Sequence, residues 1–174
     1  MKEIEDTRWY AIYTKSRSEK KTASELAKKG FKVYLPLQKT LRQWSDRKKI
    51  VELPLITSYL FVKINLCSYF NILNTKGVVK FINFSSKPVP IPDWQIDNLK
   101  ILINSDERIE ISTEDFKIGD HVFVERGSLR GLRGILVEHR AKQKVLVCID
   151  SIEKNILVNI HPACLKKEQI EKAI

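Results

Sequence analysis

No apolar run in the 174 residues approaches the roughly 20 needed to span a bilayer, and Met1 to Asp6 lack the apolar stretch of a signal peptide. A cytoplasmic protein with no membrane partner is the expectation. The three cysteines, Cys67, Cys148 and Cys164, are odd in number, lie far apart and form no C-x-x-C pair, so neither a disulfide framework nor a zinc site is expected. Buried reduced thiols are the expected state. His121, His139 and His161 all fall in the C-terminal part, far from any nucleophile pattern, and His161 with Cys164 makes an H-x-x-C pair without a second pair to complete a metal site. No enzymatic activity, cofactor or metal is assigned.

Acidic residues are scarce in one place. Residues 8–50 hold 3 Asp or Glu against 13 Lys or Arg, which is the whole of the chain's net charge of +10, while the remainder holds 18 of each sign. All five tyrosines and all three tryptophans lie in the first 94 residues. The two ends therefore differ in kind. A concentrated positive face raises the local concentration of a polyanion and releases its counterions, which makes nucleic acid the natural partner. The alternative is a solvated face that keeps the protein soluble. With 43% apolar and 30% charged residues the chain has the balance of a globular protein, and its length suits one ordinary domain or two small ones.

Arg8 to Tyr13 is rich in aromatic and aliphatic residues, as a strand covered on both faces would be. Ser16 and Glu19 form an S-x-x-E capping box, Ala23, Leu26 and Ala27 a narrow apolar stripe and Gly30 a stop, so a helix is expected from about Arg17 to Lys29. Phe31 to Leu37 reads as a second strand. Gln38 to Lys49, polar and basic around Trp44, reads as a hairpin arm. Strands follow over about Lys49–Leu53, Tyr59–Ile64 and Val78–Phe84, with a two-turn helix over Ser68–Asn74. Lys87 to Pro92 is too proline-rich for helix or central strand. A helix from Asp93 then carries Trp94, Ile96, Leu99, Leu102 and Ile103 at helical spacing, and is expected to lie on the sheet.

Between Asn104 and Asp115 the sequence turns acidic and patternless, marking a linker. The domains are thus drawn at 1–104, with a linker over 105–115 and a second domain over 116–174. In the latter, short strand-like runs recur over His121–Glu125, Arg133–Glu138, Lys144–Asp150 and Asn155–Ile160, which makes a small barrel. The expected class is α+β: an α/β sandwich with an antiparallel sheet, then a β-barrel. Gly119 to Gly134 spell G-D-x-V-x-V-x-x-G-x-L-x-G-x-x-G, and the loop glycines Gly127, Gly131 and Gly134 suit a tight connection needing positive φ and close backbone approach. No Gly-Lys-Ser or Gly-Lys-Thr ends this loop and a strand follows it, which argues against a phosphate cradle.

That glycine pattern resembles the KOW motif. Trp9 to Lys15, the helix after it, Tyr59 to Val62 and Thr75 to Val78 resemble the N-terminal domain (NGN) of the NusG family in order and spacing, so the resemblance spans about residues 8 to 166. The barrel is accordingly expected to be the SH3-like KOW type. The chain is more closely similar to the specialised relatives that act on particular operons, RfaH and the antiterminators of capsular polysaccharide operons, and Leu35–Leu37 through Leu41–Lys49 resemble the latter group. The resemblance implies an elongation factor that suppresses pausing and termination, in particular operons, through two contacts. Tyr13, Tyr59 and Phe61 match the positions that bind the clamp helices of RNA polymerase, where aromatics suit a rigid contact; as residues alone they could equally be sheet core. Lys15, Ser16, Arg17, Lys20, Thr75 and Lys76 match those that hold the non-template DNA strand in the transcription bubble. A monomer is expected, with a ribosomal protein or termination factor as the KOW partner. Ser68, Tyr69 and Phe70 do not reproduce RfaH's His-Thr-Thr motif, which leaves a second bridge across the polymerase cleft without its residues. Val145–Ile149 and Ile156–Val158 favour strands over the helical alternative of one relative. A general NusG factor, or a ribosome-associated RNA-binding KOW protein, are the competing readings.

Overall fold

The structure is a computed structural model and describes residues 6–43, 47–105, 107, 109–112, 119–139 and 142–168. Trp44 and Phe116 lie outside the described residues. The chain divides into two compact units, residues 1–93 and 94–174.

The first unit is built on β1 (Arg8–Thr14), α1 (Glu19–Lys28), β2 (Lys32–Tyr34), a separate hairpin of β3 (Leu37–Gln43) and β4 (Lys48–Pro54), β5 (Tyr59–Ile64), a short 3-10 turn running into α2 (Tyr69–Leu73), and β6 (Val78–Phe81). Three two-residue strands end it: β7 (Asn83–Phe84), β8 (Lys87–Pro88) and β9 (Pro90–Ile91). The main sheet runs β2-β5-β1-β6, all antiparallel, with β9 also on β1. The expected strand at residues 78–84 therefore breaks in two, and the proline-rich connection pairs as short strands where its prolines sit at edges.

β1 is central, and Trp9, Tyr10, Ala11 and Ile12 are all buried, as its unbroken apolar character implied. Its pairing with β5 sets Tyr10 opposite Val62 and Ile12 opposite Leu60. These four pack with Ile64, Phe81, Leu26 of α1 and Ile72 of α2 into one core. Each fully buried aliphatic side chain of this kind contributes about 1.5–3 kcal/mol. On α1 the buried residues are Glu19, Thr22 and Leu26, while Ala27 is exposed. The helix ends as expected: Gly30 has φ +86°, its N–H donates to Ala27 O at 2.9 Å, and the Phe31 N–H donates to Leu26 O at 3.2 Å.

The second unit carries most of α3 (Asp93–Asn104), which begins at the division, and an antiparallel sheet of β10 (Ile109–Ser112), β11 (His121–Val124), β12 (Arg133–His139), β13 (Lys142–Ile149), β14 (Lys154–Val158) and β15 (Leu165–Lys167), in the order β10-β14-β13-β12-β11-β15. Its core includes Val137, Leu146 and Leu157. The protein is thus α+β, an NGN-like unit followed by a KOW-like β unit. Two features depart from the sequence reading. Part of the supposed linker is strand β10, because Ile109 and Ile111 alternate and pair with Val158 and Ile156. On α3, Gln95 and Asn98 are buried along with Ile96, Leu99 and Leu102, whereas Trp94 is exposed. Asn98 explains its own burial: its Nδ2 donates to Arg133 O at 2.8 Å and its Oδ1 accepts the Arg133 N–H at 3.1 Å. The side-chain amide pairs with the first residue of β12 as a strand would, which ties α3 to the sheet of its own unit.

Candidate functional site

Three turns of the first unit meet at the start of α1. In the first, Ser18 N–H donates to Lys15 O at 3.0 Å and Arg17 adopts φ +61°, the pattern of a type II turn. The second precedes β5. Ser58 sits at φ +63°, its carbonyl accepts Thr14 N–H at 2.8 Å, and its own N–H donates to Glu19 Oε1 at 2.8 Å. In the third, before β6, Val78 N–H donates to Thr75 O at 3.0 Å and Gly77 O accepts Lys15 N–H at 2.9 Å. Thr22 Oγ1 donates to Lys76 O at 3.4 Å. Gly77 has φ +96°, and a Cβ there would strike the Thr22 hydroxyl, so only glycine fits.

The capping box expected from Ser16 and Glu19 does not form. The N-cap residue is Ser18, with no side-chain cap hydrogen bond, and the Glu19 carboxylate reaches away from the helix to Ser58. A buried donor in a left-handed turn needs a partner more than the solvated helix end does. Glu19 is therefore a functional scaffold residue that the sequence hides, since its partner lies 39 positions on.

Lys15, Ser16, Arg17, Lys20 and Lys76 are exposed and brought together by these turns. No ion pair involves Lys15, Arg17 or Lys76 among the described residues, and Lys20 has a long one, 3.9 Å to Glu52. Thr75 differs. It is buried, its hydroxyl donates to Asn71 O at 2.9 Å and accepts from Lys29 Nζ at 2.8 Å, so it shapes the turn and faces no partner.

The aromatic positions divide in the same way. Tyr13 and Tyr59 are half-buried and directly opposite on β1 and β5, with ring centroids 5.4 Å apart at 80°. Phe61 is fully buried and stacks on Tyr34 at 6.4 Å. In this structure it backs the sheet and presents no surface. The Tyr34 hydroxyl is buried without a partner among the described residues, and burial pushes its phenol up to about 12. In α2, Tyr69 stacks on Phe81 at 4.5 Å while Phe70 is exposed.

In the second unit, Gly127 and Gly131 have φ of +89° and +93°, and a Cβ on Gly134 would lie 2.6 Å from Leu146 O. Gly127 and Gly131 are thus required by backbone geometry in the loop between β11 and β12, whereas Gly134 lies within β12, paired with Val122, and is needed there for its close approach to the β13 backbone. The cysteines depart from expectation: Cys67 is exposed, and Cys148 and Cys164 are half-buried. No described helix is long and apolar enough to cross a membrane.

The family model described as "Transcription termination factor nusG" matches residues 7–100. Among similar proteins, the transcription termination/antitermination protein NusG of Staphylococcus carnosus is 26% identical, covering 98% of both chains. That of Borreliella burgdorferi is 27% identical over 81% of this chain and 89% of its own. A structure of Thermotoga maritima NusG, solved to study domain interaction, superposes with a TM-score of 0.50 at 22% identity, covering 93% of this chain and 97% of the other. That likeness bears on the fold, and the match over residues 7–100 covers more than half of the sequence. The chain belongs to the NusG family of transcription termination/antitermination factors.

Proposed function

We propose that this NusG-family chain is an antiterminating elongation factor that bridges the clamp helices of RNA polymerase and the non-template DNA strand, and that it serves particular operons, with polysaccharide biosynthesis the expected class. The single observation that carries the reading is the convergence of three turns that set a half-exposed tyrosine pair beside Lys15, Arg17 and Lys76, which have no ion pair among the described residues. Tyr13 and Tyr59 form the polymerase contact, each offering a large rigid surface at small rotamer cost. Phe61 supports them from within. Lys15, Arg17, Lys20 and Lys76 hold phosphates, with Ser16 beside them for a base edge, while Thr75 fixes the turn. The KOW-like unit recruits a ribosomal protein or termination factor.

Capture of core polymerase by the full chain, compared with Tyr13→Ala and Tyr59→Ala, tests the clamp contact; a wild-type chain that fails to bind sinks it. Lys15→Ala, Arg17→Ala and Lys20→Ala together should weaken binding to bubble DNA and reduce the salt slope by about 0.7 for each single-strand phosphate left without its cation. An unchanged slope removes them from the DNA contact. A general role is the second reading, favoured by the relatives' shared name, transcription termination/antitermination protein NusG. Genome-wide occupancy separates the two: a few long operons support the first, most transcribed genes the second.

A further inference from the structure

The third turn is fixed by two residues that two helical turns bring onto one side of α1. Thr22 Oγ1 donates to Lys76 O at 3.4 Å, and Nζ of Lys29, the C-cap residue of the helix, donates to Thr75 Oγ1 at 2.8 Å and to Asn71 O at 3.5 Å. Thr75 Oγ1 in turn donates to Asn71 O at 2.9 Å, and the Thr75 N–H to Ile72 O at 2.9 Å. Thr75 is 4% exposed, so its hydroxyl is closed to any partner outside the chain. A lysine at the end of a helix ordinarily serves that helix's own last carbonyls. Lys29 reaches instead to a residue 46 positions on, and among the described residues it makes no ion pair. Holding so flexible a side chain in one place costs rotamer entropy, which a charge-assisted hydrogen bond to a buried hydroxyl offsets.

Lys76 is thereby bracketed. Thr75 before it is anchored through its hydroxyl, Gly77 after it accepts Lys15 N–H at 2.9 Å, and its own carbonyl is taken by Thr22. With these three points fixed, the backbone sets the direction in which the exposed Lys76 side chain leaves the turn. We propose that Lys29 is a positioning residue for the DNA contact: through the Thr75 hydroxyl, its ammonium holds the turn in the geometry from which Lys76 meets a phosphate of the single strand. The inference rests on the proposed non-template contact and gives Lys29 itself no contact with DNA. Its charge acts one residue removed.

The full chain is titrated onto a fluorescent DNA bubble over a range of salt, as wild type, Lys29→Met, Lys76→Ala and the double variant. Lys76→Ala should lower the salt slope by about 0.7, the share of one single-strand phosphate. Lys29→Met keeps the aliphatic stem and removes the ammonium. It should weaken binding about threefold to tenfold, and the double variant should bind no more weakly than Lys76→Ala alone. Thr75→Val, which removes the hydroxyl at nearly the same shape, should reproduce Lys29→Met, and Thr75→Ser should bind as the wild type does. Without DNA, exchange at the Val78 amide, which donates to Thr75 O at 3.0 Å, should quicken in Lys29→Met. Polymerase capture should be unchanged, which separates positioning from a general loss of fold. Additive losses, with the slope of the double variant about a further 0.7 below that of Lys76→Ala, would make Lys29 a phosphate contact and overturn the inference. So would Lys29→Met that matches the wild type in affinity while the wild type binds. A wild type that binds no bubble DNA overturns the proposed function, and this inference with it.

Discussion

Replacing Glu19 tests the frame of the site at one atom. In Glu19→Ala the Ser58 N–H loses its acceptor inside a turn whose φ of +63° already disfavours a non-glycine residue. A hydrogen bond to a charged group is worth about 1.5–3 kcal/mol, and an orphaned buried donor adds to the loss, so about 3 kcal/mol of stability should go. For a unit of this size that lowers the melting temperature by about 10–20 °C. Glu19→Gln keeps a carbonyl acceptor and should lose only about 1 kcal/mol. Thermal melting of both variants, with hydrogen exchange at the Ser58 amide, reads the difference. Polymerase capture should fall in the same order, because Tyr59 follows Ser58 directly. An alanine variant within about 0.5 kcal/mol of the wild type would refute the reasoning, and equal losses in the two variants would assign the effect to charge instead of to the acceptor.

Tyr34→Phe should raise stability by about 1 kcal/mol at neutral pH, since it removes a buried hydroxyl without a partner. Burial pushes the folded phenol up to about 12, above its ordinary value near 10, so Tyr34 withdraws stability from the wild type as pH rises past 10, a loss that the phenylalanine variant lacks. Its advantage in urea melts should therefore widen between pH 10 and 12, and a constant gap would contradict the burial. Asn98→Ala strips both side-chain hydrogen bonds from the Arg133 backbone and should cost about 2–3 kcal/mol, with faster exchange at the Arg133 amide; protection equal to the wild type would show that α3 is not held there. Ser85 and Ser86 take φ of +48° and +66° between β7 and β8, a type I′ loop, so Ser86→Gly should stabilise by up to about 1 kcal/mol in thermal melts, and destabilisation would argue against that turn.

Strand β1, the stop at Gly30 and the β13–β14 pair were legible because each rests on local composition: a run of apolar residues, a glycine after a stripe, β-branched alternation. The carboxylate of Glu19 was not, since its partner is set by tertiary approach of a distant turn. Strand β10 hid inside an acidic stretch because one alternating pair of isoleucines is a weak signal without β14 beside it. Of the candidate site, Lys15, Arg17, Lys20 and Lys76 are where exposure was expected. Thr75 and Phe61 are buried, and residue type alone does not distinguish a hydroxyl that tightens a turn, or a ring that backs a sheet, from one offered to a partner.

Among the described residues Lys15 and Lys76 are gripped only through the main chain, the first by its N–H to Gly77 O and its carbonyl from Ser18 N–H, the second by its carbonyl from the Thr22 hydroxyl. Their side chains make no hydrogen bond or ion pair to the other described residues. The surface is therefore interchangeable: new residues at these positions would alter which sequence is recognised while the melting temperature stays where it was, so a lineage could redirect such a factor to a different target without first having to restabilise its fold.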